Sequence, residues 1–451
     1  MILNIHPSAA SNFNDKAGSL IKLIEEFPKE KQKKSLFQSD LYIAASITEK
    51  DIIGDIEEAT LDYRGNTVQR FFYFNDKKFG LSEKNYSELR EIAERIQSLS
   101  AVRRVLSLLF VERKLFTWIS EKYKGFNVPD VFIEYLYSEA NAVIKTVTTW
   151  IPIANLEVES AFTVSNSEIR PFSKAVLDKW AVKVETLAGV NKENALIKQF
   201  EKIRKDYQGL AAVVTTTISE PEYATDYALE EAQKITAVLG IFSGATLIPD
   251  IKCVSKIKGS EIIAQSTIFI EGDKGSFEQK SSIIDKSSVK YWRLGQRDII
   301  EIQKVGLDTI STLLASDSPT DFEKSTLNAI FLYSKSAFTA DPVEKVVYML
   351  SSLESILLKN ENESIQQNLA ERMAVFIAQE LTQRKTIIKT IKTIYSVRSR
   401  YLHHGHTSSE LKSISDFMMH VWTFYIQLLA NVARFRTQEE FVNAIDDHKL
   451  S

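Results

Sequence analysis

The chain holds 451 residues, 44% of them hydrophobic and 25% charged, with a formal net charge of −3. That balance is ordinary for a folded globular protein and excludes a globally basic nucleic-acid binder, though not a local basic patch. The single cysteine, Cys253, excludes a disulfide framework and a cysteine zinc site, and no eighteen apolar residues run together as a membrane span requires.

The length suits roughly two to four domains. Residues 1–10 lack a basic segment followed by an apolar stretch, so no export leader is expected, and a reducing cytoplasm is the expected compartment. Residues 1–80 read as mixed structure. A short amphipathic helix is predicted over 19–27, closed by Pro28, with a solvated charge run at 29–34. Strands are predicted at 41–47 and 68–74, with Gly65-Asn66 as a turn before the second. The aromatic run Phe71-Phe72-Tyr73-Phe74 beside Arg64 and Arg70 has the residue types that stack nucleobases, but a strand buried on both faces explains it more simply.

From 82 to 150 the helical period dominates. Leu89, Ile92, Ala93, Ile96, Leu99, Val102 and Leu106 recur at three- and four-residue steps, and Pro129-Asp130 opens a second helix predicted to reach Trp150. The pattern then changes. Strands are predicted near 156–164, at 210–219, 251–254, 261–270 and 276–284, with helices over 191–208 and 222–242. The stretch Gly272-Asp273-Lys274-Gly275 lacks the Gly-Lys-Ser/Thr of a phosphate loop and reads as a hairpin turn.

Beyond Trp292 the chain turns helical. Helices are predicted over 298–314, 321–338, 343–358, 364–380, 384–404 and 409–435; Asp341-Pro342 supplies an N-cap and a first-turn proline for the third. The fold class expected is mostly α with a smaller α/β or α+β part. The expected domains are a mixed, then helical, region at 1–150, an α/β or α+β domain at 151–292, and a helical bundle at 296–451.

Residues 395–406 read Tyr-Ser-Val-Arg-Ser-Arg-Tyr-Leu-His-His-Gly-His and carry three of the six histidines. Gly405 suits the left-handed position that ends a helix, which would place His403 in the last turn beside unsatisfied carbonyls. Basic residues there often do no more than complement the helix dipole. Residues 381–409 contain no acidic residue, whereas Arg384, Lys385, Lys389, Lys392, Arg398 and Arg400 are basic. A one-sign run of this kind is a candidate track for an RNA backbone. His403, His404 and His406 lack a matching carboxylate or cysteine spacing, so no metal site is expected, and Asp446-Asp447-His448 reads as a solvated polar tail.

Four segments carry a resemblance. They are Ala-Ile-Phe-Leu-Tyr-Ser-Lys-Ser-Ala at 329–337, Tyr-Met-Leu-Ser-Ser-Leu-Glu-Ser-Ile-Leu-Leu at 348–358, Leu-Ala-Glu-Arg-Met-Ala-Val-Phe-Ile-Ala at 369–378, and Ile-Tyr-Ser-Val-Arg-Ser-Arg-Tyr-Leu-His-His-Gly at 394–405. In order and spacing they resemble the HEPN superfamily, its ApeA-like branch in particular, over roughly the last third of the chain. The resemblance implies a helical domain that often dimerises with the Arg–His motifs of two protomers facing each other. It also implies metal-independent endoribonuclease activity, often in antiphage defence or in toxin–antitoxin pairs.

By position, Arg398 and His403 match the family's motif arginine and histidine. Ser399 stands where most of the superfamily has Asn, Asp or His, as the ApeA-like branch commonly shows. Glu354 lies in the matching Leu-Glu segment, where it is a candidate to orient Arg398 or Arg372, and His404 is a second candidate histidine.

The chemistry is self-consistent. A metal-free ribonuclease needs a group to take the 2′-hydroxyl proton, which histidine supplies at about 10²–10⁴-fold in rate. It also needs a cation on the phosphorane, which a guanidinium supplies with a fork matched to two phosphate oxygens. The expected reading is therefore a cytoplasmic, homodimeric endoribonuclease needing no cofactor, with RNA as substrate. Residues 1–292 would sense or restrain, and an operon-encoded regulator is a possible further partner. The alternative, from another class, is a non-catalytic helical module binding nucleotide, RNA or a partner protein.

Overall fold

The computed structural model describes residues 5–28, 58–62, 67–188, 195–260, 265–272, 276–283, 292–360, 362–404 and 410–450. By its contacts the chain divides into two units, Met1–Thr148 with Thr216–Tyr227, and Thr149–Thr215 with Ala228–Ser451. Helix dominates, with a smaller sheet content. Among the described residues no helix is long and apolar enough to cross a membrane.

In the first unit, His6 accepts from the Ser8 N–H and Pro7 takes the first helical position, so helix α1 (Pro7–Ile21) starts earlier than the predicted helix at 19–27. Residues of that predicted helix instead form strand β1 (Glu25–Phe27). Strands β2 (Glu58–Leu61), β3 (Thr67–Phe74) and β4 (Lys77–Gly80) complete an antiparallel sheet in the order β1-β4-β3-β2. Asn75 and Asp76 both have positive φ (49° and 62°), which gives the two-residue turn between β3 and β4 the twist that a tight hairpin needs. The predicted strand at 41–47, the turn at Gly65-Asn66 and Arg64 lie outside the described residues.

Arg70, Phe71 and Phe72 are buried in succession, as a strand covered on both faces requires. Phe71 packs edge-on against Phe27 at 4.8 Å, and the Arg70 Nε donates to Tyr86 Oη at 3.0 Å, so these groups are engaged in the core. The long helical pattern after residue 82 is divided into α2 (Glu83–Gln97) and α3 (Leu108–Lys124), and α4 (Phe132–Val143) stops short of Trp150. The reason is local: Lys-Thr-Val-Thr-Thr-Trp-Ile-Pro is rich in β-branched residues and forms strand β5 (Lys145–Pro152).

The second unit begins with short strands. Strand β6 (Leu156–Val158) is followed by β7 (Phe162–Val164), β8 (Ser167–Pro171) and, after helices α5 (Lys174–Ala188) and α6 (Ala195–Tyr207), by β9 (Ala211–Ser219). Strands β5, β9, β8 and β7 form one sheet in that order. Helix α7 (Pro221–Ile241) follows, and β10 (Gln265–Gly272) pairs with β11 (Ser276–Ile283) as the predicted hairpin, in register from Gln265↔Ile283 to Gly272↔Ser276. The predicted strand at 251–254 does not form: within it Lys252 makes a single bridge, and beyond it Ile257 makes an isolated antiparallel bridge to Ile153. Strand β12 (Trp292–Leu294) runs parallel to β6.

The C-terminal helices are α8 (Gln296–Ile302), α9 (Asp308–Ala315), α10 (Asp321–Ala337), α11 (Pro342–Leu357), α12 (Ile365–Ile377), α13 (Leu381–His404), α14 (Leu411–Asn431) and α15 (Gln438–Leu450). Side chains set several of their starts, those of α10 and α11 among them. Thr320 and Glu323 form a reciprocal capping box on α10, and Asp341 Oδ1 accepts from the N–H groups of Val343 (2.8 Å) and Glu344 (2.9 Å) ahead of Pro342 on α11. One core runs through these helices, with Tyr333, Met349, Leu353, Phe417 and Phe424 buried in it. The Lys345 ammonium is buried there as well and donates to the carbonyls of Ala245, Ile248 (3.1 Å) and Ile251. Burial pushes it down to about 8, while three acceptors for three N–H groups are what its charged form requires.

The single helix predicted over 298–314 is broken by a π-turn at Gln303–Leu307, where Gly306 has φ of 130°. A Cβ on Gly306 would stand 2.5 Å from Leu429 Cδ1. Gly306→Ala is therefore expected to cost about 2 kcal/mol through backbone strain and overpacking. Urea unfolding reads this as a lower midpoint at unchanged slope; a loss below about 0.5 kcal/mol would mean that the π-turn relaxes to an ordinary helix.

Candidate functional site

Helix α13 has no glycine or proline in its 24 residues, but it is rich in threonine and isoleucine, so packing has to hold it. Ile387, Ile391, Ile394 and Val397 recur at helical steps and are buried against α11, α12 and α14. Each contributes about 1.5–3 kcal/mol. His404 ends the helix; Gly405, the expected cap, and His406 lie outside the described residues.

This stripe turns Arg398 toward α11. The Arg398 guanidinium donates through Nη1 to Glu354 Oε1 at 2.6 Å, and the Tyr395 hydroxyl donates to the same oxygen at 2.8 Å. The pair is partly exposed, Arg398 at 25% and Glu354 at 20% of their side-chain surface. Arg398 Nε is buried and has no hydrogen-bond partner among the described residues. Burial first, and then the charge of Glu354, push the Tyr395 phenol well above its usual range, so it remains a donor.

His403 is exposed on a different face. Five residues carry a helix through about 140° beyond one full turn, which separates it from Arg398. The same period aligns His403 with Lys385, Lys389, Lys392, Ser396 and Ser399, all exposed. Lys385, Ile388, Lys389, Lys392, Thr393 and Ser396 line an open hollow of about 430 Å³.

Glu371 of α12 is an acidic group near this stripe, held below its usual range first by a hydrogen bond from Lys449 and more weakly by Lys392. The remaining two basic residues of the run are engaged. Arg384 Nε donates to the carbonyl of Ala378 (2.9 Å) just past the end of α12, and Arg400 Nη2 meets Glu410 Oε1 at 2.7 Å.

Glu354 thus takes Arg398 and not Arg372. Arg372, buried on α12, places all five of its N–H groups: two on Glu363 (2.7 and 2.9 Å), two on Asp446 (2.9 and 3.0 Å) and one on the Leu357 carbonyl (2.8 Å). Asp446 is therefore not part of a solvated tail. It sits on α15, a helix the sequence reading missed because only Phe441, Val442 and Ile445 mark its buried side. The sequence signal for Tyr395 is its spacing of three from Arg398, which puts both on one face of the helix.

Among the described residues no group of three or more His, Cys, Asp or Glu side chains is placed to hold a metal ion. No protein-family model, curated protein or solved structure matches the chain.

Proposed function

We propose that the C-terminal helices form a metal-independent endoribonuclease of the HEPN type. The observation that carries this reading is the composition of α13. It holds a guanidinium bonded to Glu354, an exposed His403, and three exposed lysines in line with that histidine. In this reading the RNA backbone lies along Lys385, Lys389 and Lys392, His403 takes the 2′-hydroxyl proton, and Arg398 stabilises the charge on the phosphorane. The four segments that resemble the family support it.

One histidine of this kind per chain leaves the leaving-group acid unassigned, and a second copy docked through the same bundle would bring another. The cytoplasm is the compartment this chemistry suits. Defence or toxin duty, with the preceding residues as sensor and an operon-encoded regulator as partner, is the setting it fits. The test is a timed digest of mixed RNA with and without EDTA. Cleavage is expected in both, leaving 2′,3′-cyclic phosphate or 3′-phosphate ends.

A second reading has its own support. Arg398 is turned inward about 140° from His403, an arrangement that serves a non-catalytic module binding RNA, nucleotide or a partner equally well. Binding without cleavage under all conditions would select it.

In either reading the track is electrostatic. Replacing Lys385, Lys389 and Lys392 together by alanine is expected to weaken RNA binding and to flatten the salt dependence by up to about three units of log–log slope. Filter binding across a salt series measures this, and an unchanged slope would place the RNA elsewhere on the molecule.

A further inference from the structure

Arg398 is held to Glu354 by one hydrogen bond through one terminal nitrogen. Contrast Arg372, whose guanidinium is gripped on every side by two carboxylates and a carbonyl. A single-point contact fixes a distance but leaves the planar group free to pivot, and a fork that must meet two phosphate oxygens cannot tolerate that. What limits the pivot has to come from elsewhere. Tyr395, one turn before Arg398 on α13, bonds the same oxygen of Glu354, and its ring centroid lies 6.0 Å from the guanidinium carbon.

We propose that Tyr395 is a positioning residue for Arg398: its hydroxyl fixes the shared Glu354 oxygen and its ring limits the swing of the guanidinium. The phenol and the guanidinium then reach one carboxylate oxygen from the same helix. The carboxylate is tied in turn to α11, whose neighbouring residues Leu353, Ile356 and Leu357 are fully buried. Removing the hydroxyl leaves that carboxylate with one donor among the described residues and releases the arginine into several orientations. The buried Nε of Arg398, without a hydrogen-bond partner among the described residues, fits a group placed for something other than its own best hydrogen bonding.

As a catalytic statement the proposal rests on the nuclease reading above; as a statement about Arg398 it does not. The experiment uses Tyr395→Phe in the full chain, which keeps the ring and removes only the hydroxyl, with Glu354→Gln as the second variant. Two quantities are measured. The first is the ¹⁵N–¹H signal of Arg398 Nε in arginine-labelled protein, identified by its loss in Arg398→Lys. The second is the split of RNA cleavage into kcat and KM.

Both variants are expected to move or broaden the Nε signal. Tyr395→Phe is expected to lower kcat about tenfold, the loss of one hydrogen bond to a charged group, with KM little changed. A purely structural role would lower the melting temperature and leave kcat intact below it. An Nε signal that stays put in Tyr395→Phe overturns the proposal whatever the kinetics show. If the wild type cuts no RNA, the nuclease reading fails while the positioning of Arg398 is still decided by the Nε signal. A rise in cleavage or RNA binding in Tyr395→Phe would make the contact a restraint on Arg398 and overturn the proposal as well.

Discussion

His403→Ala is expected to lower RNA cleavage about 10²–10⁴-fold, and Arg398→Ala about 10²–10³-fold, the ranges for losing a proton-transfer group and a charge-stabilising donor. The two changes differ in their effect on the fold. His403 is exposed, so its truncation is expected to stay within about 0.5 kcal/mol of wild-type stability. Arg398 is partly buried on Glu354, and its removal leaves that carboxylate with Tyr395 as its one donor among the described residues. A cost of about 1–3 kcal/mol follows, so both variants are to be compared by thermal melting before activity is read. Cleavage by the wild type is expected to survive EDTA. If both folded variants still cut RNA at the wild-type rate, the active site is not on α13.

The largest expected effect on stability belongs to Arg372→Ala, at about 3–5 kcal/mol, the usual cost of removing one partner from a buried charge cluster. Arg372 ties the link ahead of α12 (Glu363), the end of α11 (Leu357) and helix α15 (Asp446) into one knot, and Lys359 adds a second contact to Asp446 at 2.9 Å. The variant leaves two carboxylates and a carbonyl facing the space it vacates. Urea unfolding measures the loss; less than about 1 kcal/mol would reduce the cluster to surface pairs.

The same knot predicts an acid limb. Hydrogen bonds from Arg372 hold both Glu363 and Asp446 below the usual carboxylate range. Groups depressed in the folded state contribute stability above their unfolded pKa, about 4, and lose it as the pH falls through their folded values. The wild type is therefore expected to lose stability steadily below about pH 4.5. In Arg372→Ala that loss should be visibly shallower.

Much of the helical architecture was legible in the chain because its signals are local. Thr320 with Glu323, and Asp341 with Pro342, start helices through contacts within four residues, and the steps of Ile387, Ile391 and Ile394 mark a buried stripe wherever the helix docks. The pairing of β10 with β11 was readable from their alternation for the same reason, while residues 273–275 of the predicted turn lie outside the described residues. Local signals also misled. The helix expected to reach Trp150 gives way to a strand at 145–152, and the break at Gly306 lies against Leu429, more than 120 residues further on.

The candidate site divides along the same line. The stretch 395–406, the absence of acidic residues around it and the angular separation of Arg398 from His403 follow from the sequence and the helical period alone. Which of the two faces inward does not, because that depends on where α11 lies. Glu354 is 44 residues from Arg398, and Asp446 is 74 from Arg372. Hydrogen bonds at such separations leave no period in the chain. Only packing the helices together decides that Arg398 meets a carboxylate shared with Tyr395 while His403 stays with the lysines at the surface.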